Sequence, residues 1–210
     1  MHTGAILGFV FLFFYITIAT GLINYPTNLS IFMMLMLGPF AIFGMVSIAD
    51  FLNRDKRFEV VILGKIFGIT AFSIWVCVMC IQQGTRLYFH EVLIPQATLE
   101  NIEIYKMVLQ GANSVQFTLD IAFDIFYCLL VMLYSVAMMQ DKYFGKIIGI
   151  FGLLSGLGLL VLNLYTFPYP PAESGLIDLG PVTGIFWVIV IAMTVRAEIK
   201  QQKIKKVVSG

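Results

Sequence analysis

Six long apolar runs follow one another along the chain, and most of the charged residues lie in the connectors between them. Each run has about the 20 residues that a helix needs to cross a hydrocarbon core of about 30 Å. The composition agrees, because 60% of the residues are hydrophobic and 12% are charged, whereas soluble proteins are roughly 45–50% apolar and about 25% charged. The sequence therefore predicts an all-α, six-span transmembrane helical bundle that forms one transmembrane domain over residues 1–210.

The predicted spans are separated by short connectors, with one exception. They cover about residues 5–22, 31–51, 60–81, 112–139, 147–165 and 176–195. The exception is an aromatic, amphipathic outer segment at 82–111, which suits an interfacial position. A basic tail follows the last span at 196–210. Pro39 falls inside the second span, where we expect it to kink the helix.

The basic residues are divided unequally between the two sides of the predicted bundle. One side receives Arg54, Lys56, Arg57, Lys142, Lys146, Arg196, Lys200, Lys203, Lys205 and Lys206. The other side receives Arg86 and Lys106, and Lys65 falls within a span. Because cytoplasmic loops are enriched in Lys and Arg, both termini are predicted to be cytoplasmic, in the cell (cytoplasmic) membrane. A count of five or seven spans would mix the two groups of charges.

Polar residues are concentrated on the fourth span. Asp120 and Asp124 lie one helical turn apart, and helical spacing places Gln116, Tyr127 and Tyr134 on the same broad face. An Asp at the centre of a membrane helix costs roughly 2.5–3.5 kcal/mol, so both acids are expected to face the bundle interior or a water-filled cavity. Lys65 is a candidate partner for Asp124, because helix rise counted from the two membrane faces puts the two at a similar depth.

These six side chains have two interpretations. In the first, they form a binding site for a small solute or proton, in which the acids bind, Lys65 is the charge partner and the others supply hydrogen bonds. In the second, they form interhelical hydrogen bonds that only hold the bundle together, each worth on average about 0.6 kcal/mol, while Lys65 extends to the cytoplasmic surface. Acids within a membrane are functional candidates by default, which favours testing the first interpretation.

Three further motifs also have a functional and a structural interpretation. Cys77 and Cys80 form a CxxC pair, which is either a redox or metal motif or two small residues of the third span. His90 beside Glu91 is either part of a metal site that lacks further ligands or an interfacial pair. Asp178 is either an ordinary helix N-cap at the start of the sixth span or a ligand-binding residue. For each motif the structural interpretation is favoured, and no metal or cofactor is predicted.

Glycines recur at small-xxx-small spacing along the fifth span, at Gly145, Gly149, Gly152, Gly156 and Gly158. Small residues let two helix backbones approach closely, so this face is predicted to pack tightly against another helix. Formation of a homo- or hetero-oligomer through the first four of these glycines is the alternative.

The second half of the chain has a recognisable order of motifs. An acid–aromatic motif at 120–126 is followed by a short basic connector, a glycine-rich stretch at 144–152 and Gly180-Pro181. This order resembles that of small bacterial multi-pass integral membrane proteins of an uncharacterised family. The resemblance implies a multi-helix bundle in a bacterial cytoplasmic membrane, and it implies no particular activity.

The leading functional hypothesis is a multi-pass membrane protein that binds or transports a small solute or proton through the polar site on the fourth span. The alternative is a non-catalytic accessory or sensory subunit that contacts a partner through the glycine face and the segment 82–111. An intramembrane enzyme is a third class, in which the two carboxylates would act as general acid and base without a nucleophile or metal. The lipid bilayer is the predicted surrounding of the chain, and no nucleic acid is predicted as a partner.

Overall fold

The chain is all-helical. The computed structural model describes residues 2–19, 21–54, 58–98 and 100–209, and these residues form no β-strand. Their α-helices are α1 (His2–Ala19), α2 (Thr27–Leu52), α3 (Glu59–Tyr88), α4 (Ile102–Met138), α5 (Gly145–Thr166) and α6 (Gly180–Ser209). After α3 the chain continues through a π-helical turn, Phe89–Leu93, and a 3₁₀ turn, Ile94–Gln96.

Five helical stretches in the described residues are long and apolar enough to cross a membrane. They are Thr27–Leu52, Glu59–Gln96, Ile102–Met138, Gly145–Thr166 and Gly180–Gln202. The first predicted span corresponds to α1, which contains a shorter apolar stretch, Ile6–Ile18, and whose 18 residues give it a length of about 27 Å. The all-α class is therefore confirmed, with five helices of spanning length and composition.

Consecutive helices pack antiparallel. Gly8 of α1 meets Gly44 of α2, where a Cβ added to either glycine would lie 3.0 Å from the Cα of the other. In the same way Gly64, near the start of α3, lies against the ring of Tyr134, near the end of α4. The start of α1 and the connectors that follow α2 and α4 therefore lie at one end of the bundle.

The carboxyl-terminal helix returns to that same end. The side-chain amide of Gln201 in α6 donates a hydrogen bond of 3.2 Å to the hydroxyl of Tyr143, in the connector between α4 and α5. We call this the basic end and the opposite end of the bundle the distal end. Some of the bases used to predict the orientation lie outside what the structure describes. These are the residues Lys56 and Arg57 and the side chains of Lys203, Lys205 and Lys206.

Arg54 joins the two connectors at the basic end. Its Nη2 lies 2.7 Å from Oδ2 of Asp141, and the two charged side chains are only 11% and 7% exposed. Its Nη1 donates a 2.6 Å hydrogen bond to the carbonyl of Phe51, and its guanidinium lies 3.9 Å from the centre of the Phe51 ring. The bundle is therefore fixed at this end by a nearly buried ion pair.

The glycines of α5 are used for packing within the chain. Gly149, Gly152 and Gly156 are buried, and a Cβ on Gly149 would lie 2.6 Å from the carbonyl oxygen of Ser135 in α4. The predicted tight helix contact is confirmed for these three residues. Gly145 instead starts the helix with a positive φ of 73°. Because α4 covers the three buried glycines, they are not free to contact a second chain. The oligomer alternative stays a prediction, and an oligomer would have to use other residues as its interface.

The predicted outer segment 82–111 is not a separate element. Its first part completes α3 and the two short turns, and its last part belongs to α4, which begins at Ile102. Nothing between Ile102 and the predicted start of the fourth span interrupts the helix, and Gly111 is accommodated within it. The two long helices α3 and α4 therefore extend together toward the distal end.

Candidate polar site at the distal end

The two acids of α4 lie where four parts of the chain meet. Asp120 and Asp124 are half-buried and one turn apart, and their charges interact with each other and with that of Asp178. Asp178 is exposed just before α6, and its Oδ1 accepts a 2.7 Å hydrogen bond from the backbone N–H of Gly180. Asp178 therefore binds the first residue of α6 from just before the helix, and its charge acts on both acids of α4. We call these three residues the acid cluster.

Two polar side chains from other helices complete the surroundings of the acid cluster. Asn163 of α5 is 1% exposed, and its side chain lies within hydrogen-bonding reach of the Asp124 carboxyl. Its Nδ2 donates a 3.1 Å bond to the carbonyl of Leu159, whereas its Oδ1 has no partner among the described residues. Tyr15 of α1 interacts with the charges of all three acids. The site is therefore assembled from α1, α4, α5 and the segment before α6.

No base in the described part of the chain neutralises the acid cluster. The ion pairs found there join Arg54 to Asp141, Lys65 to Asp50 and Lys106 to Glu103. Two carboxylates about 6 Å apart repel each other by about 3 kcal/mol at an effective dielectric constant of about 20. A proton or a cation bound at the cluster relieves this repulsion.

The acid cluster does not bring three ligating side chains together around one point. Among the residues that the structure describes, no three His, Cys, Asp or Glu side chains come close enough to hold a metal ion. The same finding covers the His90-Glu91 pair and the CxxC motif, whose Cys77 and Cys80 are exposed and free.

The predicted pairing of Lys65 with Asp124 is wrong. The Nζ of Lys65 lies 3.5 Å from Oδ1 of Asp50, and these side chains are 36% and 52% exposed. Since Gly64 is level with Tyr134, Lys65 is separated from Asp124 by about ten residues of α4, or about 15 Å along its axis. The depth estimate failed because it assumed that the fourth span begins at residue 112, whereas α4 begins well before that position.

The two tyrosines of the predicted site form interhelical hydrogen bonds. The hydroxyl of Tyr127 donates to Oγ1 of Thr183 in α6 at 3.1 Å, and that threonine donates to the carbonyl of Gly180 at 2.8 Å. Tyr134 is completely buried and donates to the carbonyl of Met45 in α2 at 3.4 Å. Both positions fit the structural interpretation of these residues.

Gln116 faces a separate groove between α3 and α4. The groove has a volume of about 320 Å³, and Asp120, one turn further along α4, does not line it. Five polar side chains line the groove: Gln82, Arg86, His90, Asn113 and Gln116. The predicted site residues are thus distributed over four places: the acid cluster, this groove, the bundle core and the partly exposed position of Lys65 beside Asp50.

The sequence reasoning missed Asn163 and Tyr15. Each is a polar residue within a long apolar run, and polar residues inside a span are themselves functional candidates. The signal was therefore present, but it was weaker than that of two acids at helical spacing.

Comparison of the chain with known proteins gives no information about its function. No protein-family model, no curated protein and no solved structure matches the chain. The resemblance of the second half to small bacterial membrane proteins stays a prediction.

Proposed function

We propose that this chain is a six-span protein of the cell membrane, with both termini in the cytoplasm, that binds and transfers a proton or a small cation at the acid cluster. The observation that carries the proposal is that Asp120 and Asp124, one turn apart, and Asp178 act on one another electrostatically without a neutralising base among the described residues. Acids held within a membrane domain mark ion paths and proton relays in many proteins.

The exposure of the acids suggests how such a site is loaded. Asp178 is exposed, Asp120 and Asp124 are half-buried, and Asp124 lies one helical turn closer to the basic end than Asp120. The Oδ1 of Asn163, which has no hydrogen-bond partner in the described part of the chain, can accept a hydrogen bond from a protonated Asp124 or contact a bound cation. Toward the basic end, α4 carries the completely buried Leu130, Val131, Tyr134, Ala137 and Met138. This arrangement supports loading from the distal side.

Flux measurements in sealed vesicles test the proposal. Purified protein is reconstituted, and proton and monovalent cation fluxes are compared for the wild type, Asp120→Asn and Asp124→Asn. Asp50→Asn is the matched control, because Asp50 is also an acid in a long helix but lies near the basic end, where it pairs with Lys65. We expect each of the first two variants, and not the control, to lose most of the flux. Wild-type flux in both would remove the proposal.

The arrangement of the spans has its own test. Single cysteines are introduced at Thr3, Lys142 and Ser174 in a cysteine-free chain and labelled with a membrane-impermeant maleimide. In intact cells we expect labelling at Ser174 only, and after permeabilisation at all three positions. Labelling at Thr3 in intact cells would mean that α1 does not span and that five spans remain.

A non-catalytic accessory or sensory subunit is the second candidate. It is favoured by the exposed apolar side chains Ile104, Met107 and Val108 on the part of α4 that extends toward the distal end. Such a subunit would co-purify with a partner in mild detergent. A monomer without a partner, combined with flux that depends on Asp120, would count against this candidate.

A further inference from the structure

The groove between α3 and α4 is lined differently from the acid cluster. Of its lining residues among the described part of the chain, none is a carboxylate, and Arg86 supplies a permanent positive charge. The side chains of Arg86 and His90 form neither an ion pair nor a hydrogen bond with another described residue. The groove therefore presents a free cation and several hydrogen-bond donors to whatever occupies it.

The two helices carry the groove beyond the hydrocarbon core. Arg86 lies about 40 Å along α3 from Glu59, and Asn113 lies about 37 Å along α4 from Met138. A typical tilt of about 20° shortens these lengths to about 35–38 Å. The hydrocarbon core is about 30 Å thick and the whole bilayer is about 40–45 Å thick. If the basic ends of both helices lie at one face of the core, the groove lies among the lipid headgroups of the opposite leaflet.

The lining matches the chemistry of a phosphate group. A guanidinium binds phosphate oxygens through paired N–H donors, and the amides of Gln82, Asn113 and Gln116 supply further donors. Leu109 and Phe117 provide an apolar part of the lining, which suits the glycerol and upper acyl carbons that follow a phosphate in a lipid. The π-helical turn that carries His90 is of a kind often found at functional sites.

We propose that this groove binds the phosphodiester headgroup of an anionic glycerophospholipid in the distal leaflet. An anionic headgroup is favoured over a zwitterionic one because a groove with a cation and no carboxylate repels a choline or ethanolamine ammonium. The depth argument rests on the spanning arrangement proposed above. The groove shares no residue with the acid cluster, so the lipid site can fail while ion transfer stands, and the reverse.

Native mass spectrometry of the full-length protein in detergent tests the lipid site. The protein is incubated with dioleoylphosphatidylglycerol or with dioleoylphosphatidylcholine, and the retained lipid is counted. The variants are Arg86→Gln and Asn113→Leu. Lys106→Gln is the matched control, because it removes the same charge from the distal part of α4, at a residue that pairs with Glu103 and does not line the groove.

We expect the wild type and Lys106→Gln to retain phosphatidylglycerol about tenfold better than Arg86→Gln, and phosphatidylcholine to bind weakly to all of them. Asn113→Leu should lose part of the affinity for phosphatidylglycerol. Because this variant removes no charge, the loss would show that the lining of the groove contributes to binding independently of the charge of Arg86. Three results would overturn the proposal: equal retention by Arg86→Gln and the wild type, an equal loss in Lys106→Gln, or displacement of the lipid by inorganic phosphate alone at millimolar concentration.

Discussion

Replacement of Gly149 by alanine tests a close contact between α5 and the backbone of α4. A Cβ at this position would lie 2.6 Å from the carbonyl oxygen of Ser135 and 3.0 Å from the backbone nitrogen of Met139, whereas ordinary contacts begin at 3.4 Å. Both atoms belong to the backbone of α4, so no side-chain rotation relieves the overlap and the helices have to separate. Overpacking of this kind costs typically about 1–3 kcal/mol.

Gly184→Ala in α6 is the matched control, because nothing lies within 4 Å of a Cβ added there. Both substitutions gain helix propensity, by up to about 1 kcal/mol each, so the difference between the two variants isolates the overlap. We expect the free energy of unfolding of Gly149→Ala to be lower than that of Gly184→Ala by about 1–3 kcal/mol. That difference is a factor of about 5 to 150 in the unfolding equilibrium.

Reversible unfolding by sodium dodecyl sulfate, followed by circular dichroism of the protein in mixed micelles, measures this difference. Equal stability of the two variants would refute the reasoning, since the backbone overlap would then be absent. Size-exclusion chromatography of the same samples tests the oligomer alternative. If Gly149 contacts a second copy, its substitution will reduce the oligomer while the monomer keeps its stability.

Three further predictions use the same unfolding assay. Arg54→Gln and Asp141→Asn should each cost about 3 kcal/mol, because each removes one side of a nearly buried ion pair; the double variant should lose less than the sum, and simple additivity would contradict this. Tyr127→Phe removes the 3.1 Å bond to Thr183 and should cost about 0.6 kcal/mol; a loss above about 2 kcal/mol would mean that the hydroxyl has another role. Lys65→Gln should cost less than about 1 kcal/mol, because its ion pair is long and exposed; a larger loss would show that the pair is stronger than its geometry indicates.

The helical class and most connectors could be predicted because they depend on properties that are local in the sequence. The length of an apolar run defines a span, and the connectors before α2 and α5 mark where such runs are interrupted. The predicted fifth span, 147–165, is therefore close to the observed helix Gly145–Thr166. The segment 82–111 was harder. Apolar length does not say where a helix ends in water, and the chain from Ile102 onward continues as a helix well before the predicted span.

The site could be predicted only in part, for a different reason. The spacing of Asp120 and Asp124 fixes that they share a face of one helix. Which neighbours that face meets depends on how the helices are rotated and how far each is shifted along its axis, and a single sequence does not determine either quantity. For this reason Asn163 was missed and Lys65 was assigned to an acid about 15 Å away.

The unequal lengths of the helices have a consequence for the surrounding membrane. Annular lipid beside α5 meets an apolar wall of about 33 Å, whereas lipid beside α4 meets a helix of about 55 Å whose far portion still exposes Ile104, Met107 and Val108. A flat bilayer of uniform thickness cannot match both walls. In the proposed membrane arrangement, lipids beside α5 contact a wall that nearly matches a hydrocarbon core of about 30 Å, whereas on the α4 flank apolar side chains extend into the headgroup region, so the molecule imposes a local asymmetry on the lipids it touches.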